Sequence, residues 1–170
     1  MLLDVIDLDK LRRAILYLAI TLLTLLVQEL LLSRVRFFGI RALILPLLPV
    51  MLSLLQGPWW GMIFGLITGI LADATFAETK VLFTILLPLI GFLTAAAERF
   101  LISRRPVAVF AASVAALLLT ALAQALRVLV LFDGEALPLL RVAALQTLWS
   151  VPFIFVLYFP CKALAERNLD

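Results

Sequence analysis

The feature that most constrains the fold is a run of 31 residues, Ala42 to Ala72, that contains no charged side chain. A helix needs about 20 apolar residues to cross the ~30 Å hydrocarbon core of a bilayer, so this run is too long for one simple span and short for two. The whole chain has the same character, with 65% hydrophobic residues and a mean hydropathy of +1.21. A globule of 170 residues lacks the interior to bury that much apolar surface. The sequence therefore predicts an all-α integral membrane protein.

The charge pattern divides the chain into an interfacial N-terminal segment, residues 1–13, and a single membrane domain, residues 14–166. Gln56-Gly57-Pro58 splits the uncharged run, because glycine permits a turn and proline begins helices well. Pro46 and Pro49 are expected to bend the second span. We predict six membrane-spanning helices, at about residues 14–32, 40–55, 58–73, 81–97, 106–127 and 139–158.

The third predicted span carries glycine at every fourth position. The series is Gly57, Gly61, Gly65 and Gly69, and Asp73 continues the spacing. Four poor helix formers in one short helix need a physical reason. In a bilayer, a face without side chains lets another helix backbone approach closely. Two interpretations remain open: the stripe packs against this chain's own helices, or a partner helix docks on it.

Asp73 ends the stripe, and its carboxylate requires compensation. Ionisable groups near membrane depth usually have a partner, and the C-terminal end of a helix is unfavourable for an anion. The carboxylate could be hydrated by water at the interface, or it could pair with Arg127, with Lys80 or with a basic residue of a partner. In the paired case, Asp73→Asn is expected to weaken assembly and leave folding nearly intact. Gln28 and Glu29, near the end of the first span, are further candidate polar contacts, although Glu29 would equally suit a side chain reaching interfacial water.

No catalytic, cofactor or metal site can be assembled from the sequence. The chain contains no histidine, which removes the usual zinc ligands and proton shuttles. Cys161 is alone, so an intramolecular disulfide is excluded. The basic residues are scattered over several loops, a pattern that does not suggest nucleic-acid binding. We therefore expect a protein that is not an enzyme, takes no cofactor and contacts membrane lipid.

The distribution of basic residues gives a preferred orientation. Six spans place both termini on the same side of the membrane. Eight of the 14 lysine and arginine residues then lie on the side of the termini and six on the other. Because cytoplasmic loops carry an excess of basic residues, both termini are expected in the cytoplasm.

Several stretches resemble a known family. Val27–Arg34, then Phe37-Phe38-Gly39-Ile40 and the uncharged second span, look like the first third of the rod shape-determining protein MreD family. The glycine-rich third span ending in Asp73 is similar to that family's most recognisable stretch. The resemblance covers roughly residues 27–105. The chain departs from the family pattern at Arg41-Ala42, where Pro-Asp is usual, and in 74–81, which lacks a Leu-Gly pair.

The resemblance implies a non-enzymatic scaffold of the bacterial elongation machinery in the plasma (inner) membrane. Its partner would be MreC, a protein with one transmembrane helix. Through MreC, the pair would act on the cell-wall glycosyltransferase and transpeptidase and on MreB filaments, and so on cell shape and lateral peptidoglycan synthesis.

The MreD fold is also similar to the substrate-binding subunits of energy-coupling-factor transporters, which makes vitamin binding the alternative function. A vitamin site should offer several convergent polar groups. The candidates are thinly spread, which favours the scaffold: Gln28, Gln56, Gln124, Gln146 and Trp149.

Overall fold

A computed structural model describes residues 8–32, 34, 36–37, 40–76, 81–101, 106–132 and 136–166. Within these ranges the chain forms seven α-helices, one π-helical turn and one short antiparallel strand pair. The helices are α1 (Leu8–Val27), α2 (Leu47–Gln56), α3 (Pro58–Thr75), α4 (Leu82–Leu101), α5 (Pro106–Phe132), α6 (Ala136–Ser150) and α7 (Pro152–Glu166). The π-helical turn, Gln28–Leu32, continues α1. Strands β1 (Arg36–Phe37) and β2 (Ile40–Arg41) pair Arg36 with Arg41 and Phe37 with Ile40. This architecture agrees with the predicted all-α class.

Helix α2 lies at the centre of the fold. Every residue from Leu47 to Ser53 is buried, and the helix packs against α3, α4, α5 and α7. A helix of 10 residues is about 15 Å long, which is about half of the hydrocarbon thickness. The predicted second span, 40–55, is therefore not one continuous helix, since residues 42–44 have no regular secondary structure.

Proline positions explain where α2 begins. Pro46 precedes the helix with φ −66° and ψ −17°, and a proline disfavours helical conformation in the residue before it. Pro49 is the third residue of α2, where the backbone N–H would have no intrahelical acceptor. Pro46 and Pro49 therefore do not bend a longer helix as expected. The helix starts after Pro46 and accommodates Pro49 in its first turn.

Three segments approach the length and composition of a membrane span. Leu11–Leu30 and Val107–Leu131 qualify alone, and α6 and α7 would together form a third. The two halves of that third segment are bent by 45°, because Pro152 cannot donate a hydrogen bond into the preceding turn. The predicted sixth span, 139–158, therefore falls on a broken helix. The described residues thus contain two or three candidate spans by this criterion, and six spans remain a prediction.

The outer helices expose apolar side chains. Leu23 of α1 is 61% exposed, Val130 of α5 77% and Leu137 of α6 80%. Ten polar residues are instead among the buried positions of the described chain, including Gln28, Ser53 and Ser150. All but Ser113 of these ten side chains make a hydrogen bond within the chain. An apolar exterior around polar groups that are mostly hydrogen-bonded suits a bilayer. The chain therefore has the surface of a membrane protein.

Candidate functional site

The glycine stripe of α3 lies against the backbones of α2 and α4. A Cβ atom added at Gly61 would lie 2.5 Å from the Cβ of Ser53, and one added at Gly65 would lie 2.7 Å from the carbonyl oxygen of Leu87. A Cβ at Gly69 would collide with the backbone of Phe83. Gly91 of α4 approaches the carbonyl of Gly61 in the same way. This face is thus occupied by this chain's own helices, as in the interpretation that the stripe packs internally.

Gly57 has a different role from the other members of the stripe. A Cβ added there would meet nothing within 4 Å, and its φ of +103° is a conformation that side chains disfavour. Its N–H donates to the carbonyl of Ser53 at 3.0 Å, and its carbonyl accepts from the N–H of Gly61 at 3.2 Å. The spacing alone places Gly57 with the packing glycines, whereas in the structure it forms the turn between α2 and α3.

Asp73 caps the first turn of α4. Its Oδ1 accepts the backbone N–H of Phe83 at 3.2 Å, and its Oδ2 accepts the N–H of Thr84 at 2.7 Å and the Thr84 hydroxyl at 2.8 Å. The first N–H groups of a helix have no intrahelical acceptor, and the helix N-terminus attracts negative charge. The carboxylate is therefore compensated by the N-terminus of the helix that packs on the glycine stripe.

The other predicted polar contacts are dispersed. Arg127 is half-buried on α5, and Glu29 is half-buried in the π-helical turn. Lys80 lies outside the described residues. Pairing of Asp73 with Arg127 or Lys80 therefore stays a prediction.

Gln28 and Ser150 hold the non-helical segment that precedes α2. The side-chain amide of Gln28 donates to the carbonyl of Ala42 at 2.8 Å and accepts from the N–H of Ile44 at 3.0 Å. The N–H of Leu43 donates to Ser150 Oγ at 2.8 Å. Buried backbone groups are costly when left without partners. These two side chains thus stabilise an irregular segment inside the bundle.

A second polar contact joins α1 to the end of α2. The amide nitrogen of Gln56 donates to the hydroxyl oxygen of Tyr17 at 2.8 Å. The Tyr17 ring, 1% exposed, contacts Trp60 and Phe64 edge-on, with centroid separations of 5.9 and 6.0 Å. This cluster fixes α1 against the turn at Gly57.

A family model described as rod shape-determining protein MreD matches residues 10–167. The chain belongs to the MreD family. Its role is therefore in rod shape determination, as a structural membrane protein of the shape-determining complex, and MreD is not a known enzyme family. No curated protein and no solved structure matches the chain.

Sequence reasoning missed the partners of the polar residues that it selected. Thr84, Ser150 and Tyr17 were not singled out, although they bond to Asp73, Leu43 and Gln56. Ser150 could have been noticed, because it stands two residues before Pro152 in an apolar segment, where a helix break releases backbone groups that need partners. Nothing in the local sequence of Tyr17 indicates its contact 39 residues away.

Proposed function

We propose that this chain is a non-enzymatic, six-span scaffold of the bacterial elongation complex that binds an MreC-like protein through its single transmembrane helix. Through that protein it acts on the cell-wall glycosyltransferase and transpeptidase and on MreB filaments. Family membership supports the proposal. The arrangement of surfaces adds to it: the glycine face of α3 is covered from within, and the apolar outer faces of α1, α5 and α7 are exposed. A partner helix in the bilayer would meet those outer faces.

Site-directed photo-crosslinking tests where and whether MreC binds. A photoreactive phenylalanine analogue is placed singly at Leu23, Leu119 and Phe155, which are exposed on α1, α5 and α7, and at buried Leu48 as the control. Cells co-express tagged MreC. The proposal predicts an MreC adduct from at least one outer position and none from Leu48. Absence of adducts at all outer positions, together with failure of MreC to co-purify from native membranes, would contradict the proposal.

The proposed topology places both termini in the cytoplasm and residues 133–135 outside. Gly134→Cys is made in a Cys161→Ala background, because Cys161 is the only native cysteine. A membrane-impermeant thiol reagent should label this variant in intact spheroplasts. Labelling that requires opening of the cytoplasm would reverse the assignment.

The vitamin-binding alternative has no observation of its own in this structure. Two of the five polar side chains that could line a cavity, Gln28 and Gln56, bond to the chain itself. Their hydrogen-bonding groups are used within the fold, which favours the scaffold function over vitamin binding.

A further inference from the structure

Residues 42–44 connect two parts of the bundle that are far apart in the sequence. Ala42, Leu43 and Ile44 are 0%, 7% and 3% exposed. Gln28 bonds to the first and third of these residues, and Ser150 bonds to the middle one. The segment is therefore bonded both to the π-helical turn that follows α1 and to the junction of α6 and α7.

The Ser150 contact lies at a bend. Helices α6 and α7 meet there at 45°, and Pro152 has no N–H to continue the helical hydrogen-bond ladder. The Ser150 hydroxyl also donates to the carbonyl of Gln146 in the last turn of α6, at 2.8 Å. One hydroxyl group thus links the end of α6 to the backbone of Leu43.

Beyond the Ser150 contact, α6 packs against α5 and β2, but it buries only small side chains. Its buried residues are Ala143, Thr147 and Ser150, whereas Leu137 and Leu148 are 80% and 69% exposed. This differs from α2, where seven successive residues are buried. Segments with few buried apolar contacts open at low free-energy cost.

We propose that α6 swings about the Ser150–Val151 junction, and that the hydrogen bond from Leu43 N–H to Ser150 Oγ is the latch that holds the orientation seen here. Opening the latch releases the Leu43 N–H, while Gln28 keeps its bonds to Ala42 and Ile44. Helix α6 also packs against β2, which directly precedes Ala42. A contact made with β2 can therefore strengthen or weaken the hydrogen bond from Leu43 to Ser150. This movement of α6 does not require MreC binding.

Distance measurements by pulsed electron paramagnetic resonance test the latch in the full chain in lipid nanodiscs. Spin labels are placed at Leu140 on α6 and Ile85 on α4, both exposed, in the Cys161→Ala background. Ser150→Ala should add a second distance population or at least double the width of the distribution. Thr147→Ala is the matched control, because it removes another buried hydroxyl of α6 that bonds only within the helix, to the carbonyl of Ala143. It should leave the distribution unchanged, as should Ser150→Thr, which keeps the hydroxyl.

An unchanged distribution in Ser150→Ala, or equal broadening in Thr147→Ala, overturns the proposal. If Ser150→Ala does not fold, hydrogen exchange of the unmutated chain replaces it. The latch predicts that the Leu43 amide exchanges at least about tenfold faster than the Ile44 amide, which opens only when the Gln28 contact is lost. Equal protection of the two amides, including no exchange in either, overturns the proposal.

Discussion

The α3–α4 pair and the α5–α6 pair are both consecutive helices that pack against each other, yet they are joined by different chemistry. In α3–α4, glycines bring the backbones into contact, and Asp73 caps the start of the second helix. In α5–α6, the buried face of α6 consists of Ala143, Thr147 and Ser150, and three of its leucines are exposed. The first pair forms an internal framework, whose interface has no room for added atoms. The second pair is joined through small side chains, and both pairs expose apolar side chains on their outer faces.

The largest expected effect comes from filling the space at Gly65. Gly65→Leu adds a side chain where the backbone of Leu87 and Pro88 leaves no room. Overpacking a core costs about 1–3 kcal/mol, occasionally more, and we expect a loss of at least about 3 kcal/mol because the obstructing atoms are backbone. Thermal unfolding in detergent, with MreC capture measured in parallel, checks this. Lost capture with normal stability would instead favour docking of a partner on the stripe.

Removal of the Asp73 cap should have the next largest effect. Asp73→Ala deletes three hydrogen bonds to Phe83 and Thr84, and loss of a helix cap costs about 0.5–2 kcal/mol. Asp73→Asn keeps one acceptor oxygen but places an NH₂ group opposite a donor. We therefore expect it to lower the free energy of unfolding by about 1 kcal/mol, the cost of an unmade hydrogen bond. This revises the expectation that Asp73→Asn leaves folding nearly intact.

Thr84→Val separates the parts of the cap. It removes the hydroxyl bond to Asp73 and keeps both backbone donors, so its loss of stability in the same detergent melts should be smaller than that of Asp73→Ala. Equal stability of Asp73→Ala and the unmutated chain would show that the carboxylate has no capping role.

Sequence reasoning found the framework because its signals are local. The four-residue spacing of Gly61, Gly65 and Gly69 defines one helix face without reference to the rest of the chain. The partners of that face could not be derived, because no periodicity indicates which backbone lies opposite. Pro46 shows the same limit, because hydropathy continues smoothly through it. The hydrogen bonds of residues 42–44 to Gln28 and Ser150 explain why a segment without regular secondary structure is stable there. The length of the apolar segment 139–158 suggests one continuous span, because composition alone does not reveal the bend before Pro152.

A smaller effect is expected where α1 meets the framework. Tyr17→Phe keeps the ring contacts with Trp60 and Phe64 and removes the acceptor of the Gln56 amide. The net contribution of one such hydrogen bond is about 1 kcal/mol. Tyr158→Phe is the matched control, because Tyr158 is half-buried and its ring contact with the Lys162 ammonium, 5.9 Å from the centroid, does not need the hydroxyl. Chemical unfolding of the two variants should differ by about that amount, and equal loss would show that the Tyr17–Gln56 bond does not stabilise the fold.

The smallest effect on stability is expected at Ala115, on the outer face of α5. Ala115 is exposed, whereas its neighbour Ala116 is 4% exposed and packs inward. Ala115→Leu introduces the same side chain as Gly65→Leu, but the added atoms would meet lipid. The free energy of unfolding should therefore change by less than about 0.5 kcal/mol. MreC capture is measured on the same sample. Reduced capture with normal stability would place the partner on this face, and normal capture would direct the search to α1 and α7. A loss of stability comparable to that of Gly65→Leu would show that α5 is enclosed as tightly as α3, and the contrast between the two pairs would fail.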